Sequence, residues 1–214
     1  MLVNKCFNTN EIYNKVIWET KNFKVIPSLG GMVEGWLLVI PKAHYISYGE
    51  ITDKGLLEEL NILLQHTCKV VQKEYGDYIV FEHGAFEKNT KIGCGVDYAH
   101  LHIVPVDLNL EKVKSSLNSL DFHWKKVNGI DACSYYIELE QAYLYFQDNY
   151  FQSFICTSQK IPSQFFRRII ADNLGKSDKF DWKKYDFLEN IEKTYTKLEK
   201  YKKIINTQKL ATYA

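Results

Sequence analysis

Two histidines separated by a single residue, His100 and His102, are the side chains of this sequence best suited to chemistry. Leu101 lies between them and Ile103 follows, so histidines and aliphatic residues alternate. In a β-strand, successive side chains point to opposite faces, which places both imidazoles on one face and both aliphatic side chains on the other. We therefore expect Leu101 and Ile103 in the core and the histidines in a surface or cleft. Pro105 cannot donate a hydrogen bond to a sheet, so the strand should end near it.

A glycine-rich segment precedes this strand. Gly93 and Gly95, on either side of Cys94, allow a tight turn and a close approach of the backbone to a ligand. Backbone N–H groups in such a turn can hold phosphate oxygens while an imidazole attacks phosphorus or transfers a proton. The combination of glycines and a histidine pair indicates phosphate chemistry.

The spacing of the histidines also allows two other interpretations. The first is a pair of half-exposed histidines whose hydrogen bonds are satisfied and which have no chemical role. The second is a metal site, because a His-x-His strand presents two nitrogen ligands on one face. A metal would need a third ligand, and the nearest candidates in the sequence are Asp97, Asp107 and His83. The spacing alone leaves these alternatives open.

The segments around the histidines indicate which elements must position them. An apolar run at 36–40, ended by Pro41, is typical of a central strand. From Thr52-Asp53 to about Tyr75, leucines and valines recur at helical spacing, which predicts a long helix. Further strands are predicted at 16–19, 23–27 and 78–82; beyond Pro105 we expect a helix at 110–120, a hairpin with arms 142–147 and 150–156, and helices from 162 and from 176 onward.

Composition excludes several classes of protein. The chain has 214 residues and a formal net charge of +1, so no overall field favours bulk binding to nucleic acid or to a membrane surface. No apolar run reaches membrane-spanning length, and the N-terminus lacks a signal-peptide pattern. The five cysteines are scattered, which is typical of reduced thiols in a cytosolic protein. We therefore expect a cytoplasmic location.

Three blocks of the sequence, in order, resemble the histidine triad (HIT) superfamily. The first is 23–27 leading into Gly-Trp-Leu-Leu-Val-Ile-Pro-Lys-Ala-His at 35–44, where the family typically has Gly-His-x-Leu-Val-x-Pro-Lys-x-His. The second is the long helix. The third is Tyr-Ala-His-Leu-His-Ile-Val-Pro at 98–105, where the family has three histidines alternating with apolar residues. The resemblance covers roughly residues 10 to 107.

The resemblance implies roles for individual residues. His100 matches the family's central histidine, the nucleophile that attacks a nucleotide α-phosphate and forms a nucleotidyl-histidine intermediate. His102 matches the last histidine, which hydrogen-bonds the phosphate. Tyr98 stands in place of the first histidine, and Trp36 in place of the histidine that often follows the glycine. These two departures are the ground for an alternative to the family's usual activity, a nucleotide-binding protein without turnover.

Further substrate contacts are implied in the two loops. Cys94 stands where the family has a phosphate-contacting glutamine, and the backbone N–H groups around Cys94 and Gly95 can donate hydrogen bonds to the phosphate. Ser28 matches the position of the residue that contacts the ribose. A serine there can make one hydrogen bond or serve only as a turn residue.

The C-terminal half suggests one more anion site. Pro162-Ser163-Gln164, preceded by Lys160, is expected to begin a helix, and its free N–H groups favour an anion. Arg167 and Arg168 follow one turn into the helix and could add charge-assisted contacts. We hypothesise that this end faces His100 and holds the part of the substrate beyond the scissile phosphate. A helix with a purely structural role and solvated arginines is the alternative.

Together these observations predict an α+β protein. A HIT-like antiparallel sheet with a long packed helix is expected in residues 1–107, and a hairpin with helices in an extension, 108–214, that packs on it, either as a separate domain or within one structural unit. The predicted function is nucleotide hydrolase or nucleotidyl transferase, without cofactor or metal. A nucleotide-binding protein without turnover and a metal-dependent phosphoesterase are the alternatives, and a homodimer is left open. The substrate is not identified.

Overall fold

Eight antiparallel strands form a single sheet in the computed structural model, which describes residues 7, 9–88, 96–116, 122–158 and 161–202. The strands are β1 (Trp18–Glu19), β2 (Phe23–Pro27), β3 (Leu37–Pro41), β4 (Tyr78–Gly84), β5 (Leu101–Pro105), β6 (Lys125–Val127), β7 (Tyr143–Gln147) and β8 (Ser153–Cys156). The α-helices are α1 (Lys54–Tyr75), α2 (Leu110–Ser115), α3 (Ser134–Glu138), α4 (Phe165–Asn173) and α5 (Leu188–Leu198). Short 3₁₀ turns lie at Ile12–Asn14, Tyr48–Glu50, Ile130–Cys133, Ser177–Lys179 and Glu199–Tyr201. The α+β class is confirmed.

The sheet runs without a break from the N-terminal half into the C-terminal half. Its strand order is β1-β2-β3-β5-β4-β7-β8-β6. Strand β4 pairs with β5 on one side and with β7 on the other, and its Phe81 is opposite both His102 and Phe146. The predicted boundary at residue 107 therefore falls between strands of one sheet, and the predicted hairpin extends that sheet at β4.

The two faces of the sheet have different coverings, as the alternation around the histidines predicts. Leu101 and Ile103 are fully buried in the cluster that also contains Leu60, Leu63 and Val71 of helix α1. On the opposite face, Phe81 of β4 contacts His102 and also Phe166 of helix α4. The histidine face is thus covered in part by the C-terminal extension.

Helix α1 begins and ends where the sequence predicts. The side chain of Asp53 accepts a hydrogen bond from the backbone N–H of Leu56 at 2.9 Å and caps the first turn. Gly76 follows the last residue with φ +90°, a conformation that favours glycine. The helix therefore has its predicted length, and its buried face packs against the aliphatic side chains of β5.

Three predictions in the C-terminal half were wrong in detail. Helix α4 begins at Phe165, not Pro162, because Gln164 has φ +59° and cannot continue a right-handed helix. The chain after Lys176 is not continuously helical, and α5 begins only at Leu188. The second hairpin arm starts at Ser153, not at 150. Strand β6 and helix α3 were not predicted, because three- and five-residue elements are too short to show a period.

No helix in the described part of the chain is long and apolar enough to cross a membrane. Cys68, Cys133 and Cys156 are free and buried. The cytoplasmic location and the oligomeric state stay predictions.

Candidate active site

His100 has one ring nitrogen fixed and the other available. Its Nδ1 lies 2.6 Å from the backbone carbonyl oxygen of Tyr98. A carbonyl only accepts hydrogen bonds, so Nδ1 carries the proton and Nε2 keeps its lone pair when the ring is neutral. Burial lowers the pKa of His100 and the nearby Arg167 guanidinium lowers it further, against an opposing effect of the Tyr98 hydrogen bond. The neutral, nucleophilic form is therefore favoured.

His102 is held in the opposite tautomer. The indole N–H of Trp36 donates to its Nδ1 at 3.0 Å, so in the neutral ring the proton is on Nε2. Among the described residues, Nε2 of His102 is buried and has no hydrogen-bond partner. Burial lowers the pKa of His102 well below its usual range, and the proximity of His100, His83 and Arg167, each of which would repel an imidazolium when protonated, lowers it further. His102 is consequently a neutral donor whose proton has no protein acceptor among those residues.

The two rings complement one another. Their centroids are 5.0 Å apart, and the ring of Phe81 stacks on His102 at 4.3 Å with an interplanar angle of 12°. His100 provides a lone pair and His102 provides an N–H. A nucleophile beside a preorganised donor is the pair that attack on a phosphoryl group requires.

Both histidines line a cavity of about 320 Å³. Small-molecule sites in proteins are commonly about 300–1,000 Å³, so one nucleotide is a suitable size of ligand. The wall combines an apolar surface with a few polar side chains from both halves of the chain. Its residues are Phe7, Thr9, Tyr13, Asn14, Ile26, Pro27, Ser28, Leu29, Leu38, Val96, His100, His102, Arg167 and Trp182.

Arg167 brings a positive charge from the extension to this cavity. The side chain is 1% exposed. Its Nε donates to the carbonyl oxygen of Phe180 at 2.9 Å, its Nη2 donates to the carbonyl oxygen of Gly30, and its guanidinium lies 4.8 Å from the centroid of the Trp36 ring. Arg167 thus places a buried cation in the wall of the cavity, and guanidinium groups make strong, charge-assisted hydrogen bonds to phosphate.

Helix α4, which carries Arg167, is fixed to the sheet by His83. The backbone N–H of Phe166 donates to Nε2 of His83 at 3.3 Å, in the first turn of the helix. Burial lowers the pKa of His83 to about 3, with smaller contributions from His100 and Arg167, so the ring is neutral and can accept. A side chain of β4 thus satisfies one of the free N–H groups at the helix start.

Segment 180–187 packs against the loop that precedes β3. The N–H of Gly30 donates to the carbonyl oxygen of Asp186 at 2.9 Å, and the side chain of Gln164 donates to Asp181 at 3.1 Å. Gly30 has φ +73°, and a Cβ there would lie 2.5 Å from Cβ of Trp182 and 2.9 Å from Nη2 of Arg167. Only glycine allows this approach.

Replacing Gly30 with alanine should therefore destabilise the protein and displace the Trp182 segment. Gly175 offers a matched control, because it also has a positive φ, +66°, but a Cβ there meets nothing within 4 Å. Overpacking typically costs roughly 1–3 kcal/mol, and Gly30→Ala should lose that much more unfolding free energy than Gly175→Ala in urea titrations. Equal losses would contradict the close packing of this segment.

The other residues predicted for the site are placed as follows. Ser28 is buried, lines the cavity and donates to the carbonyl oxygen of Leu29 at 3.3 Å. Cys94 and Gly95, together with Gly93 and Lys160, lie outside the described residues. The ribose contact of Ser28 and the phosphate contacts of the glycine turn stay predictions.

Tyr98 and Arg168 do not line the cavity. The hydroxyl of Tyr98 donates to the carbonyl oxygen of Pro41 at 2.9 Å, and only its backbone reaches the site, through His100. Nε of Arg168 donates to the carbonyl oxygen of Ser163 at 3.0 Å, and the guanidinium carbon lies 3.8 Å from the centroid of the Phe180 ring, on which it stacks. Neither side chain is among those that line the cavity, and substrate contact by Tyr98 or Arg168 stays a prediction.

The metal interpretation finds no support in the part of the chain that the structure describes. No cluster of three or more His, Cys, Asp or Glu side chains suited to a metal occurs there. His83 accepts from a backbone N–H, and Nδ1 of each cavity histidine is already hydrogen-bonded.

Sequence reasoning missed three contributors to the site. Trp36 was recognised as a departure from the family pattern, but its hydrogen bond to His102 was not foreseen. His83 was considered only as a metal ligand. Trp182 was not considered at all, and no local pattern distinguishes it, because its role depends on packing against Gly30, which is far away in sequence.

Comparisons with known proteins bear on this geometry. The family model described as the HIT domain matches residues 9–108. None of the curated proteins compared with the chain matches it. Among solved structures, a hypothetical histidine triad nucleotide-binding protein of Sulfolobus tokodaii is 24% identical with a TM-score of 0.34, over 42% of this chain and 59% of that chain.

Two further structures are similar. A yeast Ap4A phosphorylase in complex with AMP is 14% identical with a TM-score of 0.42, over 71% of this chain and 61% of that chain. A Hit-like protein involved in cell-cycle regulation from Bartonella henselae is 18% identical with a TM-score of 0.35, over 64% of this chain and 99% of that chain. This chain thus spans about three fifths of the first two structures. With TM-scores below 0.5, none of these likenesses supports a statement about its activity.

Proposed function

The chain belongs to the histidine triad (HIT) superfamily, with its HIT domain in residues 9–108, and on this premise we propose that it is a nucleotide hydrolase or nucleotidyl transferase acting through His100. Members of this family are commonly nucleotide hydrolases or transferases. The observation that carries the proposal is the opposite tautomers of the two cavity histidines. His100 offers a lone pair and His102 a proton to the same cavity.

In the proposed reaction, Nε2 of His100 attacks the α-phosphorus of a nucleotide conjugate. A nitrogen–phosphorus bond forms, and the bond from phosphorus to the leaving group breaks, so that the leaving group departs with the electron pair. The Nε2 proton of His102 hydrogen-bonds a non-bridging oxygen as negative charge develops there. The carbonyl oxygen of Tyr98 stabilises the positive charge on the imidazole through Nδ1–H. Water or an acceptor then attacks phosphorus and releases His100.

Other residues of the cavity wall are proposed to contact the rest of the nucleotide. Ile26, Leu38 and Val96 provide an apolar wall against which a base can pack. Ser28 is proposed to contact the ribose. Arg167 is proposed to hold the phosphate beyond the scissile bond, since it is a buried cation in the cavity that holds both histidines.

A substrate panel in ¹⁸O-labelled water tests this proposal. The panel comprises dinucleoside polyphosphates, nucleoside phosphoramidates and sugar nucleotides. Attack at the α-phosphorus places ¹⁸O in the nucleoside monophosphate product, whereas attack at another phosphorus places it in the leaving group. For a transferase, added phosphate or sugar phosphate should replace water as the acceptor. Label found only in the leaving group would contradict the proposal.

Arg167 and Arg168 provide a matched pair of variants for the binding role. Arg167→Met should lower kcat/KM by roughly 1.5–3 kcal/mol, about 10–150-fold, the scale of a hydrogen bond to a charged group. Arg168→Met should leave kcat/KM near the wild-type value, because Arg168 stacks on Phe180 outside the cavity. Equal effects of the two substitutions would remove Arg167 from the site. The lost carbonyl contacts of Arg167 will also reduce stability, so assays belong well below the melting temperature of the variant.

The pH dependence of the Arg167 variant gives an independent check. The charge of Arg167 disfavours the imidazolium form of His100 and so lowers its pKa. Without that charge the pKa of His100 rises towards its ordinary value. The acid limb of the pH–rate profile of Arg167→Met should therefore shift to higher pH. No shift, or a shift to lower pH, would contradict the electrostatic contact.

A nucleotide-binding protein without turnover is the second candidate, and Tyr98 favours it. This residue stands where the family's first histidine usually stands, and its hydroxyl is hydrogen-bonded to Pro41, away from the cavity. A binding-only protein would bind a nucleoside monophosphate and release no product from any member of the panel. Product formation that depends on His100 would exclude this candidate.

A further inference from the structure

Trp36 lies between two side chains of the cavity, His102 and Arg167. The indole is 1% exposed. Its N–H donates to Nδ1 of His102 at 3.0 Å, and its ring meets that imidazole edge-on, with centroids 5.8 Å apart and an interplanar angle of 75°. The guanidinium of Arg167 lies 4.8 Å from the centroid of the indole ring. The position that departs from the family pattern is therefore in direct contact with two side chains of the cavity.

The indole N–H limits the states available to His102. A neutral imidazole has two tautomers, and only the one with the proton on Nε2 leaves Nδ1 free to accept. The other tautomer, and the imidazolium, would place an N–H of His102 against the N–H of Trp36. Indole nitrogen can only donate, so both of these states lose a hydrogen bond and bring two donors together. Phe81 stacked on the ring face adds a packing restraint on ring rotation.

We infer that Trp36 is a positioning residue that holds His102 as a neutral donor with its proton on Nε2, directed at the phosphate. Trp36 does not touch the reacting atoms; it acts through His102. A tryptophan retains the ring N–H that this position needs, while its larger ring also supports Arg167 from the extension. The catalytic consequence rests on the proposed function, but the tautomer assignment does not.

Nitrogen NMR of [¹⁵N]histidine-labelled protein tests the inference directly. The chain has 6 histidines, and the spectrum of His102→Ala assigns the resonances of His102 by difference. In the wild type, Nδ1 of His102 should have the shift of an unprotonated nitrogen and Nε2 that of a protonated one. The same shifts should persist to well below the ordinary histidine pKa. The reverse pattern in the wild type would overturn the inference without any variant.

Trp36→Phe removes the N–H and keeps an aromatic ring. In this variant Nδ1 of His102 should shift towards the protonated value, and the ring should titrate at higher pH than in the wild type. Trp18→Phe is the matched control, because it removes an indole hydrogen bond, to Thr67 at 3.1 Å, in the cluster on the other face of the sheet. The control should lose stability but leave the His102 resonances unchanged. Unchanged His102 resonances in Trp36→Phe would show that Trp36 is only a packing residue.

Titration with adenosine 5′-monophosphate separates the inference from the proposed function. In the wild type, AMP should shift the Nε2 resonance of His102, and Trp36→Phe should bind AMP about 10-fold more weakly, the scale of one hydrogen bond to a charged group. Failure of AMP to bind the wild type would count against the proposed function and leave the tautomer result standing. If Trp36→Phe does not fold, two measurements still test the tautomer assignment. They are the wild-type His102 nitrogen shifts and the resonance of the Trp36 indole N–H, which should move when His102→Ala removes its acceptor.

Discussion

His100→Asn should abolish turnover while leaving the protein folded. The reason is that the proposed reaction passes through a bond between phosphorus and Nε2 of His100, and an amide cannot replace that nitrogen as a nucleophile. Removing a covalent nucleophile commonly costs on the order of 10⁴-fold or more in kcat. Asparagine also retains an N–H that can donate to the carbonyl oxygen of Tyr98, so the backbone contact at this position need not be lost.

Three measurements isolate the effect of His100. The melting temperature and AMP binding should stay near wild-type values, whereas product formation in a single-turnover assay should be absent. His66→Asn is the matched control, because His66 lies on helix α1, on the other face of the sheet. The control should retain wild-type kcat. Full activity in His100→Asn would rule out His100 as the nucleophile.

His102→Ala has the second largest expected effect. His102 donates from Nε2 to an oxygen on which charge develops, so its loss should lower kcat by about 10²–10³-fold, as for removal of one preorganised donor. KM should change less, because the hydrogen bond is stronger in the transition state than in the ground state. The product should still be the nucleoside monophosphate, since the nucleophile is intact.

A second substitution distinguishes donation from packing. His102→Gln retains an N–H that can reach the phosphate and a side chain that can stack on Phe81. It should recover part of the activity that His102→Ala loses. If both variants instead keep the wild-type kcat and only raise KM, His102 binds the substrate without stabilising the transition state.

The part of the fold that sequence predicted best is the part with a clear period. Leu101 and Ile103 alternate with the histidines, and the alternation fixed which face each residue occupies. Helix α1 has 22 residues, enough turns for the 3.6-residue repeat to be unmistakable, together with a capping aspartate and a terminating glycine. The hydrogen bond from His100 to a backbone carbonyl is the arrangement that a nucleophilic imidazole requires, but the sequence does not identify its partner.

The partners of Arg167 could not be predicted, because they come from segments without regular structure. Its side chain meets the carbonyl oxygens of Gly30 and Phe180, which are separated by 150 positions of the sequence. Only the folded chain brings those carbonyls together. The same long-range packing interrupted the helix that was predicted to run from Lys176, where Asp181 and Trp182 contact Gln164 instead.

Arg167 and Arg168 show how little separates a site residue from a surface residue in sequence. Neighbouring residues on a helix point about 100° apart, so only one of two adjacent arginines can face the same cavity. The sequence does not reveal the rotation of α4 about its axis. That rotation is set by Phe165 and Phe166, which are fully buried, and by the hydrogen bond from Phe166 to His83.

The covalent step is the central claim, and trapping the intermediate tests it most directly. Protein mixed with an α-³²P-labelled dinucleoside polyphosphate or phosphoramidate and quenched in alkali should retain label in an acid-labile adduct, as expected of a phosphorus–nitrogen bond. Mass spectrometry of the digested adduct should locate the nucleotidyl group on His100. No label should be retained in His100→Asn. A wild-type protein that forms product with no trappable adduct, or an adduct on any other residue, would contradict the mechanism.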